Sequence, residues 1–275
     1  MNFPTCPIHG DQPNSTVGFG EHLRIWRHRR RLSQEELAAA AGISTRHLSF
    51  VETGRANPSR EMVLRLTKEL EVPLRERNAS LVAAGYAPMY RERSLDEPGL
   101  ATAKRAVELI LKCHEPFPTL AIDRHWNLIA ANRMVPHLFK KVDQSLLQAP
   151  INVLRLTLHP MGLAPKIINL AQWRAHLFER LCHQIAVTAD PVLMALLADL
   201  RNLPMPENKE DEFLQDEHMS IAVPLKFRGR SGVLSFISTT TIFGSPVDVT
   251  LQELALETFL PLDEFTMQAM QALGS

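Results

Sequence analysis

The twelve residues Ser33–Ser44, SQEELAAAAGIS, constrain this chain more tightly than any other segment. Ser33 and, three residues later, Glu36 form a capping box: the hydroxyl accepts from a helical N–H while the carboxylate reaches back to the cap's own N–H, so a helix begins at Gln34. Leu37 and Ala41 face inward, and the small side chains of Ala38 to Ala41 let a second helix approach closely. Gly42 supplies the sharp turn that ends the helix, Ser44 caps the next one, and Ile43 before that cap is placed to pack on Leu48 as a hydrophobic staple. Two short helices are thereby locked at a defined angle.

The flanking sequence extends this pair into five short helices over residues 19–85. Upstream, Phe19, Leu23 and Trp26 form one apolar stripe, with Arg24, Arg27 and Arg29 to Arg31 expected on the remaining surface. Downstream, Ser59 caps a fourth helix with Val63, Leu66 and Leu70 inside, and Pro73 starts a fifth that stops at Gly85. On the third helix, a rotation of about 100° per residue puts Leu48 and Val51 on one side and Arg46, Ser49, Phe50 and Thr53 on the other, with Thr45 at the edge. A lone folded chain has little reason to display Arg and Phe together. In a DNA major groove both have partners, because arginine bonds guanine O6 and N7 and phenylalanine meets a thymine methyl. Gln34 sits in the first turn of the second helix, where unsatisfied N–H groups favour a phosphate. Arg55 and Asn57, after Gly54, are placed for backbone phosphates. Charge agrees once it is divided: residues 1–95 hold 14 basic and 10 acidic side chains, net +4, and residues 96–275 hold 16 and 20, net −4.

Three strings, LSQEELAAAAGIS, RHLSFVETGRANPSR and VLRLTKELEVP, resemble the Cro and lambda-repressor type of helix-turn-helix, the XRE family, over about residues 19–75. The resemblance implies that Gln34, Arg55 and Asn57 hold phosphates of a double-stranded operator and that Thr45, Arg46, Ser49 and Phe50 read bases. A homodimer is expected, each copy placing its third helix in a major groove.

Residues 86–99, with two prolines and mixed charge, read as a connector to a second domain over residues 100–275. There, helices are expected at 100–113, 132–140, much of 152–202 and 263–273. Strand-like segments fall within 119–130, 219–227 and 232–241, with a third strand in that last group around Leu254 and Leu256 and a turn at Arg228, Gly229 and Arg230. The fold class is thus mainly α in front and α+β behind. HEPFPTLAIDRHWNLIAAN, INVLRLTLHPMGL and STTTIFGSPVDVTLQELALETFLPLDE resemble the PAS-like ligand-binding domain of MmyB-like transcription regulators. That resemblance implies a small, largely apolar, fatty-acid-like ligand; a dimer seated on a promoter blocks polymerase, so a repressor under ligand control is expected. Candidates to line the cavity are Trp126, Phe139, Trp173, Phe178, Phe236 and Phe243, with Arg155 and His159, one turn apart, to hold a carboxylate head group.

No nucleophile–base pair, carboxylate pair or phosphate-binding loop stands out, and His159, His176 and His183 read as polar positions on amphipathic helices, so no catalysis is expected. Cys6 and His9 lack a second ligand pair; no metal and no cofactor are expected. Three scattered cysteines, no signal-type N-terminus and no long apolar window point to the cytoplasm. Residues 1–18 read as a disordered tail and 204–217 as an acidic exposed loop. The alternatives are a regulator that binds no ligand, an antitoxin-like interaction module, or an enzyme fused to a DNA-binding unit.

Overall fold

A computed structural model describes residues 18–140, 142–204, 223–229, 232–244, 246 and 248–274. The expected tail up to residue 17, the Cys6–His9 pair, Arg230 and nearly all of the acidic segment lie outside those residues.

Five helices make up the front: α1 (Phe19–Arg29), α2 (Gln34–Ala40), α3 (Thr45–Glu52), α4 (Arg60–Glu69) and α5 (Leu74–Ala83). Their starts follow the cap chemistry. The Ser33 capping box is complete, Ser44 accepts from the His47 N–H and Ser59 from the Met62 N–H. Gly42 turns the chain at φ +65°. Phe19, Leu23, Trp26, Leu37, Leu48, Val51, Val63, Leu66 and Leu70 close into one core. Burying such side chains contributes about 1.5–3 kcal/mol each before ordering costs are set against it. Gly20 makes the α1–α3 contact possible, since a Cβ there would lie 2.4 Å from the Val51 carbonyl oxygen.

The arginines of α1 differ from the surface array expected. Arg27 is buried, and Arg30 reaches the end of α4, donating to the carbonyls of Leu70 (2.8 Å) and Glu71 (3.0 Å). Both are drawn inward by acceptors that hydrophobic periodicity does not reveal.

The back begins with α6 (Ala101–Cys113) and holds a five-stranded antiparallel sheet of order β2-β1-β5-β4-β3. The strands are β1 (Thr119–Ile122), β2 (Leu128–Ala131), β3 (Leu225–Arg228), β4 (Val233–Ile242) and β5 (Ala255–Pro261). Alternation sorts the two faces of β1. Leu120 and Ile122 join the large core with α8 (Val153–Leu158), α9 (Leu170–Thr188) and α10 (Pro191–Arg201), whereas Ala121 packs with Val107 and Leu111 of α6. The helix expected over 132–140 is only α7 (Val135–Leu138). Asn132 is occupied instead in tying strand to helix: its Oδ1 accepts from the Thr119 and Met134 N–H groups and its Nδ2 donates to the carbonyls of Leu111 and Phe117. The short α11 (Val249–Gln252) precedes β5, and α12 (Glu264–Gly274) closes the fold on β4 and β5.

Front and back touch. The Leu74 N–H that opens α5 donates to Gln252 Oε1 at 2.7 Å, and Arg75 pairs with Glu253. The connecting chain is pinned too, the Arg91 carbonyl accepting from the Val249 N–H at 2.9 Å and Arg93 exchanging bonds with Thr250.

Candidate nucleic-acid interface and internal cavity

The face of α3 turned from the core is the one expected. Leu48 and Val51 are fully buried, Thr45 and Arg46 exposed, and Ser49 and Phe50 half-buried. The Arg46 guanidinium lies 5.4 Å from the Phe50 ring centroid, so attraction to the ring presets its direction before any partner arrives. After α3 the chain folds back, the N–H groups of Arg55 and Ala56 both donating to the Phe50 carbonyl, and Gly54 takes φ +70°. That leaves Arg55 and Asn57 exposed beside this outer face of α3.

Gln34 is half-buried, and its Nε2 donates to Glu52 Oε2 at 2.7 Å. The same carboxylate takes two bonds from Arg27, Nε to Oε1 at 2.7 Å and Nη2 to Oε2 at 2.9 Å, with both side chains nearly closed off from solvent. Burial alone would raise the Glu52 carboxyl, but the Arg27 and Gln34 hydrogen bonds and the Arg27 charge outweigh it and hold the group below the usual carboxylate range. One acid thus joins α1, the start of α2 and the end of α3, fixing the angle at which α3 is presented. The sequence reading did not find this pair. Its signal was there: Glu52 stands four residues after Leu48, on the inward stripe, where an acid needs a buried partner.

Behind the sheet lies an internal cavity of about 60 Å³. Trp126, Phe139, Trp173 and Phe236 line it, together with Leu177 and Phe227. Phe178 is buried in the same core outside that lining, under the Arg174 guanidinium at 5.0 Å. Phe243 packs instead against the α6 side of the sheet. Arg155 and His159 also lie outside the lining. Arg155 is exposed and paired with Asp199 at 2.5 Å, and His159 Nδ1 accepts from the Met161 N–H. Glu257, which aromatic counting overlooked, is a charged member of the wall, buried and bonded at 2.7 Å to Arg180. His176 leans on Trp173 with ring centroids 5.3 Å apart, its pKa lowered by burial and then by Arg180.

A larger cleft of about 600 Å³ separates α5 from the sheet and α9, with Arg75, Arg124, Trp126, His183, Gln184 and Glu253 among its walls. Among the described residues there is no group of three or more His, Cys, Asp or Glu able to hold a metal, and no helix long and apolar enough to cross a membrane.

Residues 19–79 match the model of a helix-turn-helix domain. Among solved structures, the chain is similar to the restriction-modification controller protein C.AhdI from Aeromonas hydrophila, at 37% identity over 22% of this chain and 89% of that one, with a TM-score of 0.21. No curated protein matches. Residues 103–273 match the model of the MmyB-like transcription regulator ligand binding domain. With a helix-turn-helix unit in front and that domain filling most of the remaining chain, this protein is a DNA-binding transcription regulator and belongs to the MmyB-like family.

Proposed function

We propose that the protein is a cytoplasmic, homodimeric repressor, with a DNA-binding unit over residues 19–85, a connector over 86–99, and a ligand-binding and dimerisation unit over 100–275. The two copies insert α3 into major grooves of half-sites about one helical turn (~34 Å) apart. Arg46 and Phe50, with Thr45 and Ser49, read base edges; Arg55 and Asn57 hold phosphates. Gln34 meets a phosphate through the part of its amide not engaged by Glu52. The observation that carries this reading is the exposed Arg46 guanidinium stacked on Phe50, opposite a helix face buried to the last carbon.

The ligand is a small apolar, fatty-acid-like molecule held in the aromatic-lined cavity. At about 60 Å³ that space is small for a chain-like ligand, which enters by pushing wall side chains aside. Control then follows from differential affinity: a ligand that prefers one arrangement of the back domains shifts the population of DNA-competent dimers.

Operator selection from random duplexes, followed by native mass spectrometry of the purified protein for a bound lipid-sized molecule, tests both halves. On the selected operator, Arg46→Ala is expected to cost about 1–3 kcal/mol and to relax preference at one base pair, whereas Arg55→Ala weakens all sequences alike. Equal losses on selected and random DNA in both variants would remove Arg46 from base readout.

A further inference from the structure

The loop joining β1 to β2, residues 123–127, borders two spaces at once. Trp126 is the residue common to the lining of the 60 Å³ cavity and the 600 Å³ cleft. It is buried, and its backbone sits at φ +65°, a region that bulky side chains occupy only when the surroundings impose it. Those surroundings are specific. The indole Nε1–H donates to Gln184 Oε1 at 2.8 Å, and Gln184 Nε2 donates to the carbonyl of Arg124 at 2.7 Å. The Trp126 carbonyl accepts from the Val153 N–H, and the Arg180 guanidinium lies 4.8 Å from the indole centroid.

The rest of the loop faces the front of the molecule. Arg124 Nη1 stands 3.4 Å from Asp190 and 3.7 Å from Glu253, and His125 Nε2 is 2.9 Å from Asp190. Glu253 accepts two bonds from Arg75, at 2.9 and 3.0 Å, and Arg75 also binds Glu92. Arg75 lies in the first turn of α5. From the cavity wall to the DNA-binding helices the chain of contacts is short: the loop, Glu253, Arg75.

We infer that this loop is the element through which filling of the cavity is transmitted to the DNA-binding unit. At about 60 Å³ the cavity is small for an occupant of lipid size, so part of its wall must move. Trp126, Trp173 and Phe236 are all core side chains, but Trp173 and Phe236 border the cavity alone, whereas Trp126 also borders the cleft. Displacing it also releases a strained backbone. Movement of Trp126 carries Arg124 away from Glu253, loosens the Arg75 clasp and frees α5 from the sheet. The regulatory use of this coupling rests on the ligand control proposed above; the coupling itself is a property of the ligand-free chain.

The full-length protein tests it without a ligand, by amide hydrogen exchange read by mass spectrometry. Gln184→Leu removes both bonds that Gln184 makes to the loop. Exchange over residues 74–83 is expected to rise by about fivefold or more, the low end of what coupled sites show, and by less than about twofold when Glu253→Gln has already cut the clasp. Trp126→Phe, which keeps an aromatic ring but loses the pyrrole part of the indole with its N–H, is expected to act in the same direction and serves if Gln184→Leu does not fold. Unchanged exchange in α5 in these variants, or the same rise with and without Glu253→Gln, overturns the inference. A preparation that carries no lipid would count against the ligand reading and leave this outcome intact.

Discussion

Glu52 holds two charge-assisted partners in a place closed to water, and that makes it the most exacting side chain of the front domain. Arg27→Met strands the acid with Gln34 alone. Breaking one side of a buried pair typically costs about 3–5 kcal/mol, so the urea midpoint is expected to fall at unchanged slope. Adding Glu52→Leu should recover much of the loss, because no unpaired charge then remains; equal destabilisation of single and double variants would show that packing rather than charge is at stake. His22 presents the opposite case. It is buried in α1, its Nδ1 has no hydrogen-bond partner among the described residues, and burial followed by the nearby Arg29 charge lowers its pKa. The unfolded chain then takes up the proton first, so the contribution of His22 to stability is complete above about pH 6.5 and declines as the pH falls from there toward the folded-state value. Urea midpoints measured at about pH 7 and pH 5 should differ, and His22→Leu should narrow the difference.

At the level of elements, the α1–α3 contact depends on a missing side chain. In Gly20→Ala the new Cβ would meet the carbonyl oxygens of Val51 and Glu52 at 2.4 and 2.6 Å, and neither is the end of a flexible group. The helices must separate, at a cost of about 1–3 kcal/mol, and operator affinity should drop even at temperatures where the variant is fully folded, because α3 is re-aimed. Retained affinity in a destabilised variant would show that the α1–α3 spacing does not set the recognition angle. The capped helices were legible because their signals are local: a hydroxyl and a carboxylate three residues apart decide where α2 starts. Gly20 was not, since a glycine within a helical pattern declares nothing until its neighbour across the contact is known. For the same reason Arg27 read as surface, and the stretch from Asn132 to Lys140 read as one helix. Pro136 removes a donor there and the Asn132 side chain is committed to partners up to 21 residues away. Arg155 and His159 were correctly spaced by one turn, but spacing alone does not say which way α8 faces. The aromatic lining was legible in kind, while Glu257 reached the wall through strand alternation and a partner 77 residues distant.

For the whole molecule, the opposed charges of front and back, +4 and −4 in sequence terms, make bulk attraction to DNA modest. Affinity under the proposed reading therefore depends on how firmly two copies of α3 are held in register, and that is where the clasp of Arg75, Glu92 and Glu253 matters. Suppose the front unit were exchanged for that of another regulator. A breakpoint inside residues 86–90 would bring in a foreign α5 while leaving Glu92 and Glu253 behind. A chimera whose imported helix lacks a counterpart of Arg75 is expected to keep the operator preference of its donor yet to respond to no signal received by the back domain; restoring that single arginine should restore the response in a reporter assay. If the arginine makes no difference, the two halves communicate by another route. On this view the salt bridge is a compatibility mark, limiting which front ends this back end can command.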